Sequence, residues 1–584
     1  MKFTTSRPSL TESKVSPLKT TVIDGDHLFI DFGKAAFGTI SFVPPKGMTK
    51  VVVHLGEKLN EEGRLDRSPP GTIRYRRIEQ LIDPDSESCR IKISSDERNT
   101  GNNAVLMPEN TGEVLPFRYA EIEQGVSIDS NSIKQIFVHT PFDDEASSFH
   151  SNNSVLNSVW EISKYSIKAT TFCGVYVDGD RERIPYEGDA YINQLGHYGT
   201  DQEYDFARYS HEYMIQKPTW CTEWHLHSVM MAWMDALYSG QLESIETFYP
   251  QLRAKTLMDF AREDGLISVD PDTRTSEMEA LLEPHFQSGI ILRKIRDVMD
   301  WPPGSFTEGG TGERDHHEMM PYSTVTNAFH AHTLSLMTEI AKLLGKHDEA
   351  RFFKNRYEKV VSKINDILFD LSRGIYIDGE GSNHASLHSN MFMLAFGLVP
   401  EERKNTIIDF IKSRGMACSV YGAQHLLDAL YLNGESQHAL ELMTATHDRS
   451  WWNMIEEGST MTMEAWAYRY KNNLDWNHAW GAAPANIIPR YVVGVRPTKQ
   501  GFEEVLIQPQ PASLEQFEAK VPTPLGSVHV NYRKTPAQLE IELPGNMKGR
   551  IDVSNLGLAS LKLNQKEIHL DASGFHDFNL KASN

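Results

Sequence analysis

Short apolar runs rich in β-formers occupy the first ~145 residues, the pattern of a strand region. Leu28-Phe-Ile-Asp-Phe, Thr39-Ile-Ser-Phe-Val and Lys50-Val-Val-Val-His-Leu are separated by Gly38, Pro44, Pro45 and Gly47. Ser94 to Asn110 is polar and turn-rich, as expected of a surface loop. From Asn152 the apolar spacing becomes i, i+4, i+7 at Val155, Val159 and Ile162, which predicts an amphipathic helix. Val325, Phe329, Leu336, Ile340 and Leu343 form another stripe, closed by Gly345, and a partner helix is predicted from Asp348 to Leu368. A further pair covers 401–413 and 423–432, with Gly434 as its stop. Helix–turn–helix units run over ~340 residues without a fixed repeat, which favours a closed (α/α) ring over a solenoid. After Pro497 alternation returns, at Val528, Val530, Tyr532 and at Leu539, Ile541, Leu543, with five prolines suited to edges and turns. The expected order is a β domain, a large α domain and a small β domain.

Composition narrows the function. The chain has 584 residues, enough for about three or four domains, and 40% hydrophobic with 23% charged residues is an ordinary globular balance. A net charge of -21 argues against nucleic acid and against anionic membrane surfaces. A local basic patch is still compatible with a negatively charged polysaccharide. Cys89, Cys173, Cys221 and Cys418 are far apart and show no C-x-x-C spacing, so neither a zinc site nor a disulfide framework is expected. The N-terminus has no apolar leader-like stretch, and no run of about eighteen apolar residues is present. The expected location is the cytoplasm, or the periplasm if a leader has been removed. The 10 Trp and 21 Tyr are numerous enough to supply flat platforms for sugars, although most are expected in the core.

The chemistry concentrates in three segments. Asp178 to Ala190 holds five carboxylates (Asp178, Asp180, Glu182, Glu187, Asp189) beside Arg181 and Arg183. Alone, such a segment reads as a solvated charged loop. Pro185 and Gly188 predict an ordered loop rather than a helix, and acids crowded beside arginines suit a site that keeps one carboxyl protonated and another ionised. Asp300 to Gly310 places an acid and the Trp301 indole beside chain-breaking residues. Glu456 to Trp466, continued by Asp475-Trp-Asn-His-Ala-Trp-Gly481, packs Glu, Trp, Asn and His into a stretch that is not amphipathic. Glycoside hydrolysis needs two carboxyl groups flanking the scissile bond, and loops on one rim of an α barrel can supply them from remote sequence positions. Trp466, Trp476 and Trp480 each read first as core, and His478 as a satisfied core histidine. Glu464 lies among Met461, Met463 and Trp466, where a carboxylate is costly unless functional or paired. His316-His317 are adjacent and His330 and His332 are two apart, so neither pair shares a helical face, and no catalytic metal is expected.

These segments resemble the α-L-rhamnosidases of glycoside hydrolase family 78. The family's acid loop reads roughly D-C-P-x-R-E-R-x-G-W-x-G-D-A, matched in register by Arg181-Glu182-Arg183 and Gly188-Asp189-Ala190. Its second signature, roughly G-A-T-T-x-W-E-x-W, is similar to Gly458 through Glu464-Ala-Trp466. S-x-N-H-x-x-x-G-A resembles Asp475-Trp-Asn477-His478 and onward, and G-D-W resembles Met299-Asp300-Trp301. Outside the helical region, Asp31-Phe-Gly-Lys-Ala-Ala-Phe-Gly, Leu55-Gly-Glu-Lys-Leu, Phe117-Arg-Tyr-Ala-Glu-Ile and Gly494-Val-Arg-Pro continue the likeness in the family's order. Two departures line the expected pocket: the family's G-W is Pro185-Tyr186, and D-C-P-x is shortened to Asp178-Gly-Asp. The first Asp of that motif therefore falls on Asp178 or Asp180.

The resemblance implies a central (α/α)6 barrel (149–493) flanked by N-terminal (1–148) and C-terminal (494–584) antiparallel β-sandwich domains. It also implies a short form, expected to lack the additional N-terminal carbohydrate-binding domains of longer members. It implies an inverting exo-glycosidase releasing terminal α-L-rhamnose, with Glu182 as general acid and Glu464 as general base. Glu182 then needs a raised pKa, from neighbours such as Asp189 or from partial burial. Asp178, Asp180, Arg183, Asp189, Asp300 and His478 are placed at the sugar's hydroxyls, and Tyr186, Trp301 and Trp466 on its apolar wall. The expected partner is a carbohydrate; no cofactor is expected, a structural calcium and the oligomeric state being left open. The alternatives are an (α/α)-barrel hydrolase for another sugar, a polysaccharide lyase, or a sugar-binding protein without catalysis.

Overall fold

The computed structural model describes residues 3–286, 294–304 and 312–580. β-Sheet precedes and follows a helical middle. The N-terminal sheet runs, in spatial order, Thr11–Val15, Lys134–His139, His27–Phe42, Leu115–Glu123, Lys50–Gly56 and Tyr75–Leu81, with antiparallel neighbours. The two apolar runs expected as separate strands at 28–32 and 39–43 form this one 16-residue strand. Gly38 does not interrupt it. A Cβ there would stand 1.9 Å from the Ile136 carbonyl oxygen, so the glycine permits close strand pairing. The irregularity lies instead between Asp31 and Ala36, where the register shifts. That bulge turns backbone toward the helical region: the Ala35 amide donates to Thr460 Oγ1 at 2.8 Å, and Tyr165 Oη donates to the Ala35 carbonyl at 2.7 Å.

In the helical region, buried and amphipathic helices alternate. Thr324–Leu343 packs along His347–Ile367, and the first is largely buried while the second buries only Ala350, Phe353, Val360 and Ile364. Leu387–Ala395 and Lys404–Arg414 repeat the contrast, as do Gly422–Leu432 and Ser436–Met443. Helices apolar on all sides belong inside, and those with one apolar stripe cover them. The stop expected at Gly345 is realised with φ 67, a left-handed conformation that suits glycine. Glu187–Thr200 and Thr222–Ser239 are buried over almost their whole length and pack on one another.

The C-terminal region forms a four-stranded and a six-stranded sheet. The expectation of purely antiparallel pairing is corrected here. Val505–Ile507 runs parallel to Lys548–Asp552, and Gln538–Glu542 runs parallel to Ser560–Leu563. Ser148–Ser151, which precedes the first helix, pairs with Gln516–Val521 and so belongs to the C-terminal sheet. One continuous hydrophobic core joins the helices to these sheets, whereas the N-terminal sheet has a core of its own. A smaller cluster, including Phe37 stacked on Phe172 at 3.8 Å, ties the N-terminal sheet to the segment leading into the acidic loop. All four cysteines are free and buried. Among the described residues no helix is long and apolar enough to cross a membrane.

Candidate active site

The acidic loop is fixed before it presents any group. The Asp178 amide donates to the Ile184 carbonyl at 3.0 Å, and the Ile184 amide donates to Asp178 Oδ1 at 2.9 Å, closing the turn. Arg183, at φ 54, faces the N-terminal domain and donates to Asp180 Oδ1 at 2.8 Å and to Glu113 Oε1 at 2.6 Å. Asp180 also accepts from Arg74 and from Asn99 Nδ2, and its amide donates to Asn477 Oδ1 at 2.8 Å. Asp180 and Arg183 are each 1% exposed. Both were expected at the sugar; the structure makes them internal struts, because the loop turns Arg181 and Arg183 to opposite sides. Asp180→Ala is therefore expected to leave two buried guanidinium groups without their shared carboxylate, at a cost of about 3–5 kcal/mol. Calorimetry should show a marked fall in melting temperature. A sugar-binding aspartate would instead lose activity at an unchanged melting temperature.

The loop ends earlier than expected. Glu187–Thr200 is helical, so Gly188, Asp189 and Ala190 lie in its first turn. Gly188 is not a helix breaker here. A Cβ at this position would come 2.8 Å from the Trp224 ring, and the missing side chain lets the indole pack on the helix.

On the far side of the loop lies a cavity of about 250 Å³. Of the residues expected from sequence, Asp178, Glu182, Tyr186, Asp189, Trp301, Glu464 and His478 line it. Arg181, Trp220 and Trp224 join them without having been assigned a role, as does Trp480, which was expected first as core. Two further expectations are corrected. Trp466 is wholly buried, donates its indole N–H to the Cys418 carbonyl at 2.8 Å and meets Trp451 edge-on, so it is core. Asp300 is also wholly buried; His388 Nε2 lies 2.7 Å from its Oδ2, and the Ser419 amide donates to it at 2.9 Å. Its carboxylate is consumed by the protein, and its effect on the cavity passes through its neighbour Trp301. Residues 305–310 of the same segment lie outside the described residues.

Arg181 organises the cavity. Its Nη1 donates to Glu464 Oε2 at 2.6 Å, its Nε stands 3.5 Å from Glu182 Oε1, and its Nη2 stands 4.0 Å from Asp178 Oδ2. Lys471 Nζ is 3.1 Å from the same Glu464 oxygen. Burial works to raise the pKa of Glu464, but Arg181, Lys471 and His478 outweigh it and bring the carboxyl down to about 2. Glu464 is thus a permanent carboxylate, and its side chain is 2% exposed against 39% for Glu182. Tyr186 Oη reaches toward Glu182 Oε2 at 3.4 Å. Asp178 is buried, which pushes its carboxyl well above the usual range against the pull of Arg181 and His478, and its Oδ2 has no hydrogen-bond partner among the described residues.

His478 stands between two acids, with Nε2 2.7 Å from Asp189 Oδ2 and Nδ1 3.3 Å from Asp475 Oδ1. Burial opposes its charge, yet Asp475 and Asp189 raise its pKa to about 10, so it is an imidazolium at neutral pH. Asp189, for its part, is turned to His478; the acid sharing Arg181 with Glu182 at the loop's start is Asp178. Donor atoms of Glu464, Asp475 and His478 lie within 4.8 Å of one another, close enough in spacing for a metal. The site fits one poorly, because Arg181 and Lys471 already hold Glu464 and both His478 nitrogens face carboxylates.

Sequence reasoning also missed the support from the N-terminal domain. Glu57 Oε1 accepts from Asn477 Nδ2 at 3.1 Å and its Oε2 accepts from the Arg74 amide at 2.8 Å. Burial raises Glu57 to about 8, with those two hydrogen bonds opposing. Through Asn477 and Arg74 it clamps the acidic loop to the loop after Glu464. The hint was present in the Leu55-Gly-Glu-Lys-Leu motif, but nothing in that motif names its distant partners.

Two acidic loops thus meet on one cavity, carried by a helical region that lies between β-sheet regions. Residues 144–492 match the family model described as the bacterial alpha-L-rhamnosidase 6 hairpin glycosidase domain, and residues 494–566 match that of the bacterial alpha-L-rhamnosidase C-terminal domain. The first match takes in more than half of the chain, which belongs to this rhamnosidase family. A curated relative, an alpha-L-rhamnosidase of Alteromonas sp. (strain LOR), is 24% identical over 241 residues, covering 38% of this chain and 25% of its own. Among solved structures, the alpha-L-rhamnosidase from Dictyoglumus thermophilum superposes with a TM-score of 0.73 at 19% identity, covering 95% of this chain and 60% of that one. The Streptomyces avermitilis alpha-L-rhamnosidase complexed with L-rhamnose gives 0.71 at 16% identity, covering 98% and 53%. The chain thus spans about a quarter of the curated relative and rather more than half of these two structures. At these identities the structural likeness is one of fold.

Proposed function

We propose that this chain is an inverting exo-acting glycoside hydrolase that removes terminal α-L-rhamnose from oligosaccharides, polysaccharide fragments or glycosides. The observation that carries the reading is Arg181, which touches Glu182 and Glu464 at once in a family member's cavity. A single guanidinium in contact with both limits how far apart the two carboxylates can stand, which supports a pair flanking one glycosidic bond. Glu182, the more exposed of the two, protonates the departing oxygen at the mouth. Glu464, buried and ionised, takes a proton from the water that attacks the anomeric carbon on the opposite face. A carboxylate held this acidic is a weak base, so its contribution includes the fixed negative charge it offers to an oxocarbenium-like transition state. The unpartnered Asp178 Oδ2 hydrogen-bonds with a sugar hydroxyl, the Asp189–His478 pair holds others, and Trp301 and Tyr186 pack on the ring. Two carboxylates and water suffice, with no cofactor. The alternation of buried and covering helices supports the (α/α)6 ring, with domains at 1–148, 149–493 and 494–584 and the strand at 148–151 paired into the C-terminal sheet.

The test is release of free sugar from an aryl α-L-rhamnoside, followed by NMR of the anomeric signal. Rhamnose that appears first as the β anomer is the expected result. The α anomer would overturn the inverting mechanism, and absence of rhamnose from aryl and natural glycosides alike would overturn the sugar.

A further inference from the structure

Glu464 is held by two cations that differ in their other duties. Arg181 also stands 3.5 Å from Glu182 and 4.0 Å from Asp178, so its charge is divided among three carboxyl groups. Lys471 Nζ stands 3.1 Å from Glu464 Oε2 and donates as well to the neutral Asn473 Oδ1 at 2.6 Å. Its side chain is 1% exposed. Burial pulls the lysine pKa down, against the opposing charge of Glu464. An ammonium buried at that cost needs a reason. The other charged groups around the pair are Arg181 from the acidic loop, Asp189 from the helix Glu187–Thr200, and Asp475 and His478 from the loop after Lys471. Glu182 changes charge when it gives up its proton, and the demand on Arg181 changes with it. A second cation on Glu464 Oε2 limits how far that change reaches the base.

The turn that carries Lys471 is seated by the N-terminal region. The Leu474 amide donates to the Lys471 carbonyl at 3.2 Å, closing the turn. Thr72 Oγ1 stands 3.1 Å from the Asn473 carbonyl oxygen and 3.2 Å from that of Leu474, and the Thr72 amide donates to the Leu474 carbonyl at 3.0 Å. The Asn473 carbonyl also accepts from Arg181 Nη1 at 3.2 Å. Asn473 thus holds Arg181 through its backbone and Lys471 through its side chain, and Thr72 holds Asn473. Gly71 makes the approach possible. It has φ 67, and a Cβ there would stand 2.7 Å from the Leu474 carbonyl oxygen.

We propose that Lys471 is a positioning residue for the base: seated by Gly71 and Thr72 of the N-terminal region, it fixes the Glu464 carboxylate independently of Arg181. A general base is effective only when held in line with the water it activates, and a buried ammonium on one carboxylate oxygen supplies that constraint. The N-terminal region then serves the chemistry itself, through a turn that touches no substrate. The proposal rests on the reading of Glu464 as the base.

The experiment measures kcat and KM for an aryl α-L-rhamnoside across acid and neutral pH, using the full chain and its Lys471→Met and Thr72→Val variants. Methionine keeps most of the stem and removes the charge; valine keeps the volume and the backbone amide and removes the hydroxyl. Lys471→Met should lower kcat at neutral pH by on the order of tenfold, with KM within about twofold of wild type. Burial raises the Glu464 carboxyl and Lys471 opposes it, so without the ammonium the carboxyl should titrate at a higher pH. The base is lost as pH falls through that raised value, and the deficit of the variant should therefore grow toward acid. Thr72→Val should show a smaller deficit of the same form. Wild-type kcat in Lys471→Met overturns the proposal, and so does a deficit that is equal at every pH, which marks a purely structural role. If Lys471→Met does not fold, Thr72→Val decides: a deficit that grows toward acid supports the proposal, and its absence overturns it. If wild type releases no rhamnose from aryl or natural glycosides, the hydrolytic reading falls, and infrared spectroscopy decides the lysine. The carbonyl band of protonated Glu464, isolated by subtracting the Glu464→Gln form in each background, should appear at a higher pH in Lys471→Met than in wild type. Coincident titrations overturn the proposal.

Discussion

Glu464→Gln is expected to lower turnover by on the order of a thousandfold or more, and by a similar factor on aryl and natural rhamnosides. The equality follows from the chemistry. The residue acts on the attacking water and on charge at the anomeric carbon, neither of which a better leaving group relieves. The amide removes both the base and the negative charge while nearly preserving the volume. It also leaves Arg181 and Lys471, now 2.6 and 3.1 Å from Glu464 Oε2, without their carboxylate, so some loss of melting temperature should accompany the loss of rate. Rhamnose binding by calorimetry separates the two effects. A variant that still binds sugar but does not turn over fits the base, and a near-normal rate would remove Glu464 from that role. Because Glu464 is held at about 2, it stays ionised well into acid, and the acid limb of the wild-type rate profile in kcat/KM should contain no titration of Glu464 above about pH 3.

Glu182→Gln should behave differently. The expected loss is about two orders of magnitude on natural linkages and distinctly less on an activated aryl glycoside, since a phenolate leaves with little help from a proton. Glu182 is the exposed carboxylate of the pair and only loosely held, with Tyr186 Oη at 3.4 Å, so its replacement should leave the melting temperature close to wild type. Equal losses on both substrate types would argue against Glu182 as the acid.

Part of this was legible in the chain. The helix at Thr324–Leu343 and its glycine stop follow from a single apolar stripe, because a 3.6-residue period leaves few alternatives. The catalytic candidates were legible for another reason: crowded acids beside arginines, or an acid among methionines and tryptophan, are expensive arrangements that ordinary surfaces and cores avoid. Local pattern was misleading where a residue's reason lies elsewhere in the chain. Gly38 and Gly188 read as breaks, but each is small because a distant group, the Ile136 carbonyl or the Trp224 ring, needs the space.

The sequence by itself therefore determined the order of β, α and β regions, the family, and which carboxylates came together as candidates, since periodicity, costly local composition and ordered motifs are all properties of the chain. Only the tertiary structure decided which side chains line the cavity. Arg181 and Arg183 are two residues apart and chemically identical, yet one binds Glu464 in the cavity and the other is sealed against Asp180 and Glu113. Trp301 lines the cavity while its neighbour Asp300 is spent on His388 and Ser419. Such assignments depend on partners some 70 to 280 residues away in sequence, such as Glu113 for Arg183 and Glu464 for Arg181. The charge of Glu464 and of His478 is decided in the same way, by groups that only folding brings within about 3 Å.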